Sequence, residues 1–183
     1  MSPAEYIQLK AFARYDGLAL AALWVASFAC YIIGLSSPLW TLVGIVLAVV
    51  SPFFVARRLR QFRDVAREGI ISFARGWAFV VFVFFYASLL FALAQYAYFA
   101  FLDQGYLAAA INSLFENEQT RLLMDQNGMG DMLRESMSEF QRMRPIDIAL
   151  NMLTSNIMVG MLLGLPIAAV MKRTTDPANQ KNV

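Results

Sequence analysis

Four long apolar stretches without a charged side chain alternate with polar segments along the sequence. They cover residues 17–35, 39–56, 76–102 and 148–171. A helix of about 20 apolar residues crosses the roughly 30 Å hydrocarbon core of a bilayer, and backbone polar groups must be satisfied within such a segment. The pattern therefore predicts an all-α integral membrane protein, a four-helix bundle formed by a single domain of 183 residues.

The first two spans are predicted to form a helical hairpin with a very short connection. The break between them is the segment 34–40, GLSSPLW. Pro38 disfavours continuation of a helix, while Gly34 and the two serines favour a turn. Trp40 is expected at the boundary between lipid and water, where tryptophan is enriched.

Basic residues are distributed unevenly among the polar segments. Residues 1–16, 57–75 and 172–183 together carry eleven Lys and Arg against five Asp and Glu, whereas residues 103–147 carry four against eight. Short cytoplasmic loops hold the excess of Lys and Arg in membrane proteins. We therefore predict a multi-pass membrane protein with both termini in the cytoplasm, a cytoplasmic basic loop at 57–75 and an extracytoplasmic segment at 103–147.

The basic loop is also expected to contact the membrane surface. Each basic group near the surface contributes about 1 kcal/mol of attraction to anionic headgroups. Arg60, Arg63 and Arg67 share one face of a helix that would extend the second span. No base-stacking aromatic residues or nucleic-acid-binding fold accompany them, so nucleic acid is not an expected partner. The predicted contacts with a bilayer containing anionic headgroups are Arg57, Arg58, Arg60, Arg63 and Arg67.

The segment 103–147 is polar overall, but its apolar residues recur near helical spacing. They lie from Leu107 to Leu123 and from Met132 to Met143, on either side of the turn signal at 127–130, NGMG. We predict an extracytoplasmic hairpin of two amphipathic helices, which would lie on the bilayer or bind a partner. The polar tail 174–183 is expected to be disordered.

Methionine is concentrated in the same segment, which raises the question of a metal site. Thioether sulfur is a soft ligand that suits Cu(I), but the spacing is irregular and no His or Cys assists. A flexible apolar side chain on a helix face is the simpler interpretation, so we predict no metal and no cofactor. The five methionines are Met124, Met129, Met132, Met137 and Met143.

The residue inventory disfavours catalysis. The chain has no histidine and one cysteine, Cys30, which excludes Ser-His-Asp and Cys-His mechanisms and the usual zinc sites. The carboxylates near the membrane edges show no paired spacing that indicates acid–base work. We predict that the protein is not an enzyme.

The fourth span carries a line of small and polar residues. Asn156, Gly160 and Gly164 are spaced by four, and small residues at this spacing let another helix approach closely. Packing within the bundle is favoured over dimerisation. Gln95 and Asn156 lie at similar depth, so we expect them to face the interior and to hydrogen bond to each other. A substrate pathway is the alternative, but no span contains an ionisable residue that would mark one.

Two stretches resemble a known family. Residues 62–76, FRDVAREGIISFARG, are similar to its pattern before the third span, and residues 145–173, ending in AAVMKR, are similar to its last span. Glu68 and Ala74 stand where the family often has glycine. The family is the domain-of-unknown-function family 4199, and the resemblance implies a four-helix inner-membrane protein of the kind found mainly in Bacteroidota. It brings no catalytic residues.

These observations predict a structural or accessory subunit of the inner membrane. Its periplasmic helices would present an interaction surface to a membrane or periplasmic protein, or to a second copy of the chain. The alternative is a small oligomeric transporter or channel for a small solute, which would use the polar line of the fourth span.

Overall fold

The computed structural model describes residues 2–116 and 130–174, and all structural statements below concern these ranges. Within them the chain forms six α-helices and one π-helical turn, Tyr98–Leu102, which continues the third helix. The only β pairing in the described ranges is an isolated antiparallel bridge between Ile71 and Arg173. The helices are α1 (Pro3–Gly34), α2 (Pro38–Ala66), α3 (Phe73–Ala97), α4 (Tyr106–Glu116), α5 (Gly130–Arg142) and α6 (Pro145–Met171).

Four of these helices are long and apolar enough to cross a membrane: α1, α2, α3 with its π-helical turn, and α6. They contain 32, 29, 30 and 27 residues. At about 1.5 Å per residue each exceeds the roughly 30 Å hydrocarbon core. The prediction of an all-α protein with four candidate membrane spans is confirmed.

The predicted cytoplasmic loop is shorter than expected, because α2 continues as a helix to Ala66 and only residues 67–72 connect it to α3. Arginine is a good helix former, and Leu59 and Phe62 keep one face of the extension buried. The helix ends where the chain passes through Glu68 and Gly69, whose φ angles are 52° and 83°. Such left-handed angles favour glycine and are uncommon for other residues.

The first hairpin has the predicted short connection, and small residues bring its two helices together. A Cβ on Gly34 would lie 2.7 Å from the Cα of Thr41, so only glycine fits there. The hydroxyl of Thr41 donates a hydrogen bond to the Gly34 carbonyl at 2.8 Å. Farther along, the Ser27 hydroxyl donates to the Gly44 carbonyl at 2.7 Å. Close backbone approach through small residues is the usual way in which membrane helices pack.

The chain divides into two compact units, Met1–Ala92 with Met152–Val183, and Leu93–Asn151. The first unit contains the hydrophobic core, in which Phe62 stacks on Phe79 with ring centroids 4.7 Å apart and makes an edge-to-face contact with Phe12. Such aromatic pairs stabilise a core by about 0.5–1.5 kcal/mol beyond their buried area. Other fully buried side chains in this core are Leu9, Leu20, Val55, Leu59, Val80 and Val83.

In the second unit, Asp103 organises the start of α4. Its carboxylate accepts hydrogen bonds from the backbone N–H groups of Gly105 at 3.1 Å and Leu107 at 3.0 Å. These bonds satisfy N–H groups that a helix start leaves without partners. Phe99 and Phe140 of the same unit meet edge to face, with centroids 6.0 Å apart. Three predicted features lie partly outside the described residues. They are residues 117–123 of the first predicted amphipathic helix, residues 127–129 of the NGMG turn, and residues 175–183 of the tail predicted to be disordered.

Candidate functional site

Charged side chains gather in the first unit where α1 and α3 begin and where α2 and α6 end. We call this group the arginine cluster. It contains four arginines and three carboxylates in three ion-paired groups, two of which connect different helix ends and one of which lies within α2. Its members are Arg58, Arg63, Arg67, Arg75, Glu5, Asp16 and Asp64.

Asp16 and Arg58 form the most buried ion pair of the cluster. The Asp16 side chain is 2% exposed, and its Oδ1 is contacted by both Nε and Nη2 of Arg58. Arg58 also donates from Nη1 to Gln61 at 2.9 Å and lies over the ring of Tyr15. A buried carboxylate without a counter-ion is strongly unfavourable. The pair therefore fixes α1 against α2.

Glu5 bridges two arginines that come from different elements. Its Oε1 lies 2.9 Å from Nη1 of Arg67, and its Oε2 lies 2.9 Å from Nη2 of Arg75. Ser2 and Glu5 also form a reciprocal capping box that starts α1. One carboxylate thus joins the first turn of α1, the end of α2 and the first turn of α3.

Arg63 is buried and binds the C-terminal end of α6. Its side chain is 7% exposed, and its Nε donates to Asp64 at 2.7 Å. Its Nη1 donates to the carbonyl of Met171, the last residue of α6, at 3.1 Å. A cation at a helix C-terminus satisfies free carbonyls and the helix dipole. Nearby, the backbone bridge between Ile71 and Arg173 joins the α2–α3 connection to the residues that follow α6.

The predicted headgroup contacts thus divide into two groups. Arg58, Arg63 and Arg67 bind carboxylates or carbonyls of the chain, so their charge stabilises the fold. Arg57 and Arg60 are exposed, and Nε of Arg60 lies 3.7 Å from Oδ2 of Asp64. Headgroup contact stays a prediction for all five arginines. The difference has a simple origin, because Arg63 continues the buried line that Val55 and Leu59 begin at a spacing of four.

The glycines of the fourth span pack against α3. A Cβ on Gly160 would overlap the Cβ and ring of Phe84, and one on Gly164 would lie 3.0 Å from Cδ1 of Trp77. Trp77 also donates from Nε1 to the Met161 carbonyl at 3.1 Å. The small residues on this line therefore serve contacts within the first unit.

Asn156, the first residue of that line, borders an apolar cavity of about 290 Å³ in the first unit. Trp24, Phe28 and Phe91 form aromatic walls. The polar atom of Trp24 is occupied, because Nε1 donates to the Ser51 hydroxyl at 2.9 Å. Within the described part of the chain no hydrogen bond of the Asn156 carboxamide is found. An unpaired amide in an apolar setting is costly.

Gln95 belongs to the second unit and is 3% exposed. Its Oε1 is buried and has no hydrogen-bond partner among the described residues. Because Gln95 and Asn156 lie in different units, the hydrogen bond expected between them stays a prediction.

Replacing Asn156 with leucine is expected to leave the stability unchanged or to raise it by about 1 kcal/mol, because the amide has no hydrogen bond within the described part of the first unit and an apolar group suits the cavity. Unfolding by SDS in mixed micelles measures the change. Leucine is also the larger residue at the wall, so Asn156→Ala serves as the size control. A loss of more than about 2 kcal/mol in both variants would indicate that the carboxamide makes a stabilising bond after all.

The described residues contain no group of three or more His, Cys, Asp or Glu that could hold a metal ion. Of the five methionines considered for copper, Met124 and Met129 lie outside the described residues. Met132 is 62% exposed and Met143 38%. That the methionine-rich segment binds no metal therefore stays a prediction.

Comparison with known proteins places the chain in one family. Residues 15–173 match the family model described as "Protein of unknown function (DUF4199)", which includes both stretches on which the resemblance was recognised. The resemblance is therefore confirmed. No curated protein and no solved structure matches the chain.

Proposed function

The chain belongs to the DUF4199 family, whose function is unknown, and from its architecture we propose that it is a non-enzymatic inner-membrane protein that acts as a structural or accessory subunit. Both termini and the arginine cluster face the cytoplasm in this proposal. Helices α4 and α5 form the extracytoplasmic hairpin and present a surface to a partner. The imbalance of basic and acidic residues between the two sides supports this orientation.

The exposed apolar side of α5 carries the proposal. Met132 is 62% exposed although it belongs to the apolar stripe of an otherwise polar helix. Phe140, on the same helix, is covered in part by Phe99. Amphipathic helices with apolar anchors at helical spacing are a common means of recognition, and methionine suits adaptable binding surfaces. The partner is a membrane or periplasmic protein or a second copy of the chain.

Site-specific photocrosslinking in native membranes tests this surface. A photoreactive amino acid at Met132 is expected to yield a discrete crosslinked species, and its mass separates a second copy from a different protein. Gln141 is the matched control, because it is exposed and lies half a helical turn away around α5. Equal crosslinking at the two positions, or a protein that stays solitary during crosslinking and co-purification, would contradict the proposal.

The cavity beside Asn156 favours a second candidate, a small oligomeric transporter or channel for a small uncharged solute. An unpaired carboxamide in an aromatic wall is available to hydrogen bond a bound molecule. Solute flux in proteoliposomes that is lost in Asn156→Leu and Gln95→Leu would support this candidate. Flux that is absent in the original protein would remove it.

A further inference from the structure

We propose that a cleft beside the arginine cluster binds a phosphate group, carried by a lipid headgroup or by a soluble compound. This inference goes beyond the role of an accessory subunit and does not depend on it. The cleft has a volume of about 720 Å³ and lies where α2 ends and α3 begins. Its polar lining is formed by Arg67, Glu68, Ser72, Arg75 and Thr174.

The donors around the cleft suit a tetrahedral oxyanion. Two guanidinium groups and two hydroxyl groups line it, together with Ala74 in the first turn of α3. The first N–H groups of a helix have no intrahelical partner, and the positive end of the helix dipole attracts phosphate. The Ser72 hydroxyl accepts the N–H of Arg75 at 3.4 Å and stays free to donate its own proton.

Glu5 shows that the two arginines can share one anion. Its two oxygens each receive one N–H, from Arg67 and from Arg75, at 2.9 Å. A guanidinium carries five N–H donors, so both arginines keep donors that Glu5 does not use. The Nε of Arg67 is buried and has no hydrogen-bond partner among the described residues. That atom has almost no accessible surface, so a phosphate in the cleft would bind other N–H groups of Arg67 and Arg75, the two arginines that line it.

One group in the cleft opposes an anion. Glu68 lines the cleft, and no ion pair of its side chain is found in the described ranges. The negative charges of Glu68 and Glu5 balance the positive charges of Arg67 and Arg75. Two further cations, Lys172 and Arg173, follow the end of α6 next to the bridge at Ile71. Removing the charge of Glu68 is therefore expected to strengthen binding without disturbing any ion pair of the arginine cluster.

Calorimetric titration of the purified full-length protein in detergent tests the inference with two probes, inorganic phosphate and a short-chain phosphatidic acid. The expected result is binding that falls at least tenfold in Arg75→Gln and in Arg67→Gln and rises severalfold in Glu68→Gln. Arg60→Gln is the matched control, because it removes an exposed arginine of α2 outside the cleft and is expected to leave the affinity unchanged.

The two probes separate the sources of the phosphate group. Binding of both with similar affinity indicates a soluble phosphate compound, whereas binding of phosphatidic acid alone indicates a headgroup, and either result supports the site. Because the arginine variants also lose contacts with Glu5, the Glu68→Gln variant keeps the test informative if they fail to fold. Absence of binding, an equal loss in Arg60→Gln, or no gain in Glu68→Gln would overturn the inference.

Discussion

Replacing Arg58 with methionine is expected to destabilise the protein by about 3 kcal/mol, because removing one partner of a buried ion pair costs about 3–5 kcal/mol and leaves the other charge uncompensated. Asp16 is 2% exposed and would lose both contacts with the guanidinium. Since the Arg58 side chain is itself 25% exposed, the lower end of the range applies. Unfolding by SDS in mixed micelles measures the loss.

A second substitution separates the ion pair from other effects of methionine. The double variant Arg58→Met with Asp16→Asn is expected to be more stable than Arg58→Met alone, because the buried charge has been removed. Arg57→Met is the matched control, as Arg57 is an exposed neighbour on the same helix. Additive losses in the double variant would show that the two charges do not stabilise each other.

Replacing Gly160 with alanine is expected to cost about 1–3 kcal/mol, and leucine more, because added volume in a packed interface forces the helices apart. The new Cβ would lie 2.8 Å from Cδ1 of Phe84 and closer still to its Cβ. Gly76→Ala is the control, since its Cβ would meet Ala168 at an ordinary 3.5 Å. There alanine is expected to stabilise α3 by up to about 1 kcal/mol through its higher helix propensity.

The same unfolding assay compares the two glycine variants. An opposite sign of their effects is the signature of close packing between α6 and α3. If Gly160→Ala proved as stable as Gly76→Ala, the close approach at Phe84 would not be a determinant of this fold.

The number of candidate spans could be predicted because each depends only on a local property, the length of an apolar run. The helix ends were harder to predict from the sequence. The apolar pattern begins at residue 17, yet α1 starts at Pro3, and the signal for it was the sequence SPAE, in which Ser2 and Glu5 have the spacing of a capping box. The extension of α2 had a signal too, in Val55, Leu59 and Arg63 at intervals of four.

The arginine cluster could not be predicted in the same way. Arg58 was recognised as a basic residue beside a span, and a basic residue in that place normally contacts headgroups or sets topology. Its partner, Asp16, is 42 residues away in sequence, and nothing local pairs the two. The line of Asn156, Gly160 and Gly164 was visible, but Phe84 and Trp77, the residues against which its glycines pack, depend on how α6 meets α3.

Cysteine labelling in intact cells tests the proposal that the chain crosses the membrane four times with the arginine cluster in the cytoplasm. Cys30 is the only cysteine, so Cys30→Ser provides a background in which Arg60→Cys and Gln141→Cys each add one exposed thiol. We expect a membrane-impermeant maleimide, admitted to the periplasm, to label position 141 in intact cells and position 60 only after the inner membrane is permeabilised. Labelling of position 60 in intact cells, with position 141 protected, would contradict it.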